Sequence, residues 1–256
     1  MPTRDTAPVG APCWIDLMAS NVARSRTFYC SLFGWDTGAP NEDLGGYLNF
    51  TKDGVPVAGC IGARPGSSVP DIWSIYLASA DAAKTASAVG VHGGNPLVGA
   101  TPVADLGVMA LATDSGGAPI GIWQPVDFHG FGVLAEPGAP AWFELFTPDY
   151  DAAVAFYQNV FGWDTHVMSD TEEFRYTTLG AGDAALAGIM DASDFLPEGS
   201  RGQWSIYFGV DDTDKALTMV VDLGGSVERS AEDSPYGRMA AVADPAGATF
   251  KLVQTF

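Results

Sequence analysis

Phe28-Tyr29-Cys30-Ser31-Leu32-Phe33-Gly34-Trp35-Asp36-Thr37 returns as Phe156-Tyr157-Gln158-Asn159-Val160-Phe161-Gly162-Trp163-Asp164-Thr165, 128 residues later in a chain of 256. Self-similarity at a fixed period is the signature of a repeated structural unit, so it decides the architecture before any single residue is interpreted. The repeat extends outward in both directions. Asp16 matches Glu144 and Asn21 matches Asp149 at the same offset; Trp73-Ser74-Ile75-Tyr76 matches Trp204-Ser205-Ile206-Tyr207 at 131. Gly107, Met109, Asp114, Gly117 and Gln124 match Gly237, Met239, Asp244, Gly247 and Gln254 at 130. Two copies of one fold follow each other, with small changes in loop length.

Composition bounds what such a protein can be. At 47% hydrophobic residues each half can bury a core of its own. No run of about 18 apolar residues is present to span a bilayer, and the opening Met1-Pro2-Thr3-Arg4-Asp5 lacks the charged-then-apolar pattern of a secretory signal. The expected location is cytoplasmic. Cys13, Cys30 and Cys60 are odd in number and form no C-x-x-C pair, which argues for small buried side chains rather than a disulfide framework or a zinc site. The formal net charge is −19; residues 1–128 hold 6 basic and 11 acidic side chains, residues 129–256 hold 6 and 20. An acidic surface repels phosphate backbones, so neither nucleic acid nor membrane insertion is expected.

Within each half the pattern runs strand, helix, strands, twice. Trp14, Asp16 and Met18 alternate on a first strand, as do Trp142, Glu144 and Phe146. Asn21 and Asp149 stand where N-caps belong, and Gly34 and Gly162 where helices stop. Lys52-Asp53-Gly54 predicts a hairpin between Tyr47–Thr51 and Val55–Ile61, matched by Arg175–Leu179 and Ala184–Met190. A second unit opens at Trp73–Ala78, with a helix at about 81–89, a Gly93-Gly94 stop and strands near Val98, Met109–Thr113 and Ile120–Trp123. Its partner is Trp204–Val210, Thr213–Leu223, Gly224-Gly225, Met239–Ala243 and Thr249–Val253. The boundaries are 1–129 for the first domain, 130–140 for a Gly- and Pro-rich linker, and 141–256 for the second domain.

The F-Y-x-x-x-F-G-W helix end, the Val210-Asp211-Asp212-Thr213-Asp214-Lys215-Ala216 helix start, the following Gly-Gly and Asp244-Pro245-Ala246-Gly247 before a last strand together resemble the vicinal oxygen chelate superfamily. That superfamily includes glyoxalase I, extradiol dioxygenases and fosfomycin- and bleomycin-resistance proteins. More narrowly, the chain resembles actinobacterial tandem glyoxalase-like proteins, some described as hydroxylases, antigens or kinase-inhibitor homologues. The resemblance implies an α+β fold: tandem domains, each of two βαβββ modules whose mixed sheet curls into a cup flanked by helices. It also implies a divalent metal held by side chains of the cup floor. Carried onto this chain, the metal-ligand positions are Trp14, Ser74 and Gly121 in one domain and Trp142, Ser205 and Lys251 in the other, with a fourth near Gly59 and Gly188. A divalent site needs about three imidazole or carboxylate donors. These residues do not supply them, and His92, His129 and His166 fall outside those positions. No cofactor is therefore expected, and a divalent metal would require non-family ligands.

Asp16 and Glu144 share a strand face with Trp14 and Trp142. Each could bind an amine, act as a general base, or accept a structural hydrogen bond, and burial should raise its pKa unless it is paired. The ligand-contacting set expected for the first cup is Trp14, Asp16, Trp73, Tyr76 and Trp123; for the second it is Trp142, Glu144, Trp204, Tyr207 and Arg238. Aromatic walls of this kind suit a small apolar or aromatic ligand. The expected function is a glyoxalase/bleomycin-resistance-like protein binding such a ligand without the family metal site. The alternatives are a lyase, isomerase or dioxygenase using relocated ligands, and a protein–protein interaction or regulatory module. A monomer or a homodimer would serve any of these, since four units can pair within one chain.

Overall fold

A computed structural model describes residues 6–64, 66 and 70–255. The first half consists of β1 (Pro12–Ala19), α1 (Val22–Phe33), β2 (Asp36–Thr37), β3 (Leu48–Lys52), β4 (Val55–Gly62), β5 (Ile72–Ala78), α2 (Ala82–Val91), β6 (Asn95–Val103), β7 (Gly107–Thr113) and β8 (Pro119–Pro125). The second half repeats it as β9 (Pro140–Thr147), α3 (Tyr150–Phe161), β10 (Thr165–Asp170), β11 (Arg175–Leu179), β12 (Ala187–Asp191), β13 (Gln203–Val210), α4 (Thr213–Asp222), β14 (Ser226–Ser234), β15 (Gly237–Ala243) and β16 (Thr249–Gln254). Each half builds one eight-stranded mixed sheet, ordered β2-β3-β4-β1-β5-β8-β7-β6 and β10-β11-β12-β9-β13-β16-β15-β14. The two modules of a half join where β1 runs antiparallel to β5, and where β9 runs antiparallel to β13. The sheets stay open.

The local chemistry explains the element ends. Asn21 accepts from the Arg24 amide and Asp149 from the Ala152 amide, satisfying first-turn donors of α1 and α3. Gly34 and Gly162 take left-handed φ values of 70° and 67°, which glycine adopts without a Cβ penalty. Asp53 and Gly54 both have positive φ, 52° and 79°, as a tight turn between twisted antiparallel strands requires.

Four details differ from the sequence reading. The strand matching Val55–Ile61 begins at Ala187 rather than Ala184, because Gly182–Ala184 forms a short 3-10 turn. β2 and β10 extend the sheet directly after each helix. β14 is almost wholly exposed and polar, so no hydrophobic alternation marks it. The segment 130–140 is also no loose tether: Phe131, Val133 and Ala139 are buried, and the Phe131 and Gly132 amides donate to Cys13 and Pro56 carbonyls at 2.9 and 3.1 Å.

The two halves share one hydrophobic core. Strand residues on the helix side, among them Ile15, Leu17, Ile75 and Leu77, pack toward it. Phe33, Trp35 and Trp73 of the first half meet Phe208 of the second at ring distances of 4.9, 5.6 and 5.5 Å. Polar contacts cross reciprocally: the Tyr29 hydroxyl donates to Asp244 at 3.1 Å, and the Tyr157 hydroxyl to Asp114 at 2.9 Å. The Trp35 indole N–H reaches the Gly138 carbonyl, and the Trp163 indole the Gly10 carbonyl. Each half thus supplies the other with the same two anchors.

Candidate functional site: two unlike cups

The strand register brings the even-numbered residues of β1 and β9 to one face. In the first sheet Trp14 lies opposite Tyr76, Tyr76 opposite Gly121, and Asp16 opposite both Ser74 and Gly59. In the second, Trp142 lies opposite Tyr207, Tyr207 opposite Lys251, and Glu144 opposite both Ser205 and Gly188. The positions where the resemblance implies metal ligands therefore do converge on each cup floor. Their chemistry does not fit a divalent ion: indole and glycine offer no side-chain donor for it, and Lys251 brings a cation to the same place. Among the described residues, no group of three or more His, Cys, Asp or Glu side chains is arranged to hold a metal.

Tyrosines occupy the glycine positions. A Cβ on Gly59 would lie 1.7 Å from the Tyr47 hydroxyl, and one on Gly188 2.0 Å from the Tyr176 hydroxyl. Those hydroxyls accept from the Trp14 and Trp142 indoles at 2.7 and 3.0 Å. Tyr47 and Tyr176 were not among the sequence candidates, although Tyr47/Tyr176 and Gly59/Gly188 each recur at an offset of 129. Gly188→Ala should push the Tyr176 ring out of the cup and separate it from Glu144. The expected cost is about 1–3 kcal/mol in urea denaturation; a loss below about 0.5 kcal/mol would show that Tyr176 is not held there.

The first cup is acidic. Asp16 is buried, and burial pushes its carboxyl up to about 7, with a hydrogen bond from Tyr76 offsetting part of the rise. Burial, and then the Asp16 charge, hold the Tyr47 and Tyr76 hydroxyls well above the usual phenol range. Tyr76 leans over Gly121, where a Cβ would meet its ring at 2.1 Å, and its hydroxyl lies 3.8 Å from Met109 Sδ. Trp123 donates to the Phe128 carbonyl at 2.9 Å, and Phe128 packs edge-on against Trp14 at 4.7 Å.

In the second cup the acid is paired. Glu144 Oε1 accepts from Tyr176 at 2.8 Å and Oε2 from Tyr207 at 2.5 Å, with Lys251 Nζ 3.3 Å from Oε2 and 2.7 Å from the Tyr207 hydroxyl. The ammonium also lies over the Phe146 ring at 4.0 Å. Burial pulls the Lys251 pKa down, and the Glu144 charge offsets part of that. Phe174 stacks on Tyr176 at 5.5 Å and Phe195 meets Phe146 at 6.4 Å; the two outer rings are 43% and 56% exposed.

Three expected contacts lie elsewhere. Trp73 and Trp204 point to the helix side, because their positions alternate with the cup residues Ser74 and Ser205; their indoles donate to Tyr29 and Tyr157, both at 3.0 Å. Arg238 pairs with Asp214 at 2.8 and 3.0 Å and with Asp233 at 3.0 Å, so it serves the α4 surface. Two surface concavities, of about 460 and 690 Å³, also lie outside the cups. One is at the junction of the halves beside Lys52, Glu136 and Asp211, the other along α1. Among the described residues no helix is long and apolar enough to cross a membrane.

Fold and site define a tandem of two open, cup-shaped α+β domains fused into one body. The profile of the Glyoxalase/Bleomycin resistance protein/Dioxygenase superfamily matches residues 139–252. The chain is 35% identical to the protein named "Putative glyoxylase CFP32" of Mycobacterium bovis, over 99% of this chain and 98% of that one. It is 34% identical to the anthracycline biosynthesis protein DnrV of Streptomyces peucetius, over 96% and 93%. The Mn(II)-bound glyoxalase from Novosphingobium aromaticivorans superposes with a TM-score of 0.67 at 14% identity, over 96% of this chain and 82% of that one. The chain belongs to the glyoxalase/bleomycin resistance/dioxygenase superfamily.

Proposed function

We propose that this protein binds a small planar aromatic compound in its cups and does so without the divalent metal of the superfamily. One observation carries this reading: in the second cup Lys251, at a position where the resemblance implies a metal ligand, lies within a continuous row from exposed Phe174 through Tyr176, Glu144 and Lys251 to Phe146 and exposed Phe195. Exposed rings leading to a polar floor are what an aromatic ligand with one oxygen-bearing edge requires. The name of one relative, an anthracycline biosynthesis protein, fits a planar polycyclic compound as ligand class. A second reading, proton transfer by Asp16, is supported by its pKa of about 7, where a carboxyl can both accept and donate at neutral pH.

The test is metal analysis of purified protein together with tryptophan-fluorescence titration by Mn and Zn ions and by planar aromatic compounds. We expect substoichiometric metal, no response to the ions, and a response to the aromatics that Trp142→Phe diminishes. Stoichiometric metal released by Asp16→Asn or Glu144→Gln would overturn the metal-independent reading. Catalytic turnover lost in Asp16→Asn would favour the second.

A further inference from the structure

We propose that the second cup is specific for aromatic compounds bearing an acidic oxygen, a carboxylate or phenolate, and that the Lys251 ammonium is the group that selects them. This rests on the reading that the cups take small aromatic ligands. It adds which cup and which chemistry.

An ammonium has three N–H bonds. One reaches the Tyr207 hydroxyl at 2.7 Å; the approach to Glu144 Oε2 is long, at 3.3 Å, and that oxygen is already served by Tyr207 at 2.5 Å. Oε1 is served by Tyr176. Glu144 is thus hydrogen-bonded through both oxygens without Lys251, so the ammonium can turn one donor toward a ligand without leaving a buried carboxylate unpartnered. The Lys251 side chain is 23% exposed, and it faces the cup between the Phe146 and Tyr207 rings at 4.0 and 4.5 Å. Arg229 on β14 is exposed and paired with Glu232 at 2.8 Å, which leaves Lys251 as the cation that faces the cup floor.

The first cup serves as an internal contrast. Gly121 stands where Lys251 stands, and the acid there, Asp16, has hydrogen bonding from Tyr76 and, among the described residues, no ion pair. An anionic ligand would meet an unpaired acid in that cup and, in the other, an acid already paired with an ammonium that has a donor to spare. The duplicated cups therefore differ in the sign of charge they tolerate, and an acid should bind once per chain.

The experiment is calorimetric titration of the full chain at pH 7.5 with 2-naphthoate and with its uncharged analogue 2-naphthamide. We expect the acid to bind one per chain and about 10-fold or more tighter than the amide, the increment of a charge-assisted hydrogen bond. Lys251→Met should bring the acid-to-amide affinity ratio to about one, whereas Lys251→Arg should retain it. Equal affinities in the wild-type protein would overturn the role of Lys251 while leaving the cups as binding sites. A preference unchanged in Lys251→Met but lost in Arg229→Gln would move the anchor to the rim and overturn it as well. Failure of both compounds to bind would instead count against the underlying reading, and also against this one. Because the wild-type ratio decides first, a Lys251→Met variant that failed to fold would not rescue the proposal.

Discussion

Asp16→Asn should stabilise the protein at pH 8 and leave it nearly unchanged at pH 4. In the unfolded chain the carboxyl titrates near 3.8; folded, burial pushes it to about 7. Between those values the folded state holds a proton that the unfolded chain has already lost. The contribution of this group to stability is therefore complete below about pH 4 and is lost as the pH rises toward 7. The full difference amounts to up to about 4 kcal/mol. Asparagine keeps the shape and a partner for Tyr76 but has no charge to desolvate, so the wild-type and variant curves should separate progressively through this window. Urea denaturation at pH 4, 6 and 8 measures the separation directly, because every other titrating group is common to both proteins. Parallel curves would mean that Asp16 has a compensating cation or that water reaches it freely, and either would remove the basis for its proton-transfer role.

The same residue shows how far the sequence could be read. Asp16 and Glu144 were recognisable as a pair from the repeat and from their strand faces, and so was the expectation that burial would raise the pKa of an unpaired acid. What separates them was not legible. Glu144 is paired by Tyr176, whose ring reaches it across Gly188, and by Lys251 from the last strand of the sheet. Those contacts depend on register between strands far apart in sequence. Tandem architecture, helix caps and the Lys52-Asp53-Gly54 hairpin were legible because each rests on local chemistry or on repetition. β14 was not, since an exposed edge strand with polar residues on both faces carries no period-2 hydrophobic signal. Trp73 and Trp204 were assigned to the cups by residue type, but alternation alone places them with Ile75 and Ile206 on the opposite face. Arg238, whose counterpart in the first half is Val108, could have met an anionic ligand or paired with surface carboxylates; the structure shows the pairing, bidentate with Asp214 on α4.

Asp114→Ala has the largest destabilising effect we expect. Asp114 is 2% exposed; its Oδ1 accepts from the Gly116 and Ala118 amides at 2.9 and 2.8 Å, and its Oδ2 from the Tyr157 hydroxyl at 2.9 Å. Truncation strands a buried turn amide, a part-buried one, and a buried hydroxyl that the Trp204 indole already donates to. An unsatisfied buried group costs about 1–3 kcal/mol, and such costs are not additive within one network, so about 3–5 kcal/mol is expected. Tyr157→Phe removes one donor and leaves the turn intact, for about 1–2 kcal/mol. The two should couple: the double variant should lose less than the sum of the single losses, by about 1 kcal/mol or more. Asp244 should behave in the same way with Tyr29, since it accepts from the Ala246 and Ala248 amides at 2.8 and 3.0 Å and from Tyr29 at 3.1 Å. Because each tyrosine belongs to one half and its aspartate to the other, the coupling measures how strongly the halves are joined. Strict additivity in both cycles would show that the aspartates act only within their own turns. The shared aromatic core around Phe208 would then be what holds the two domains together.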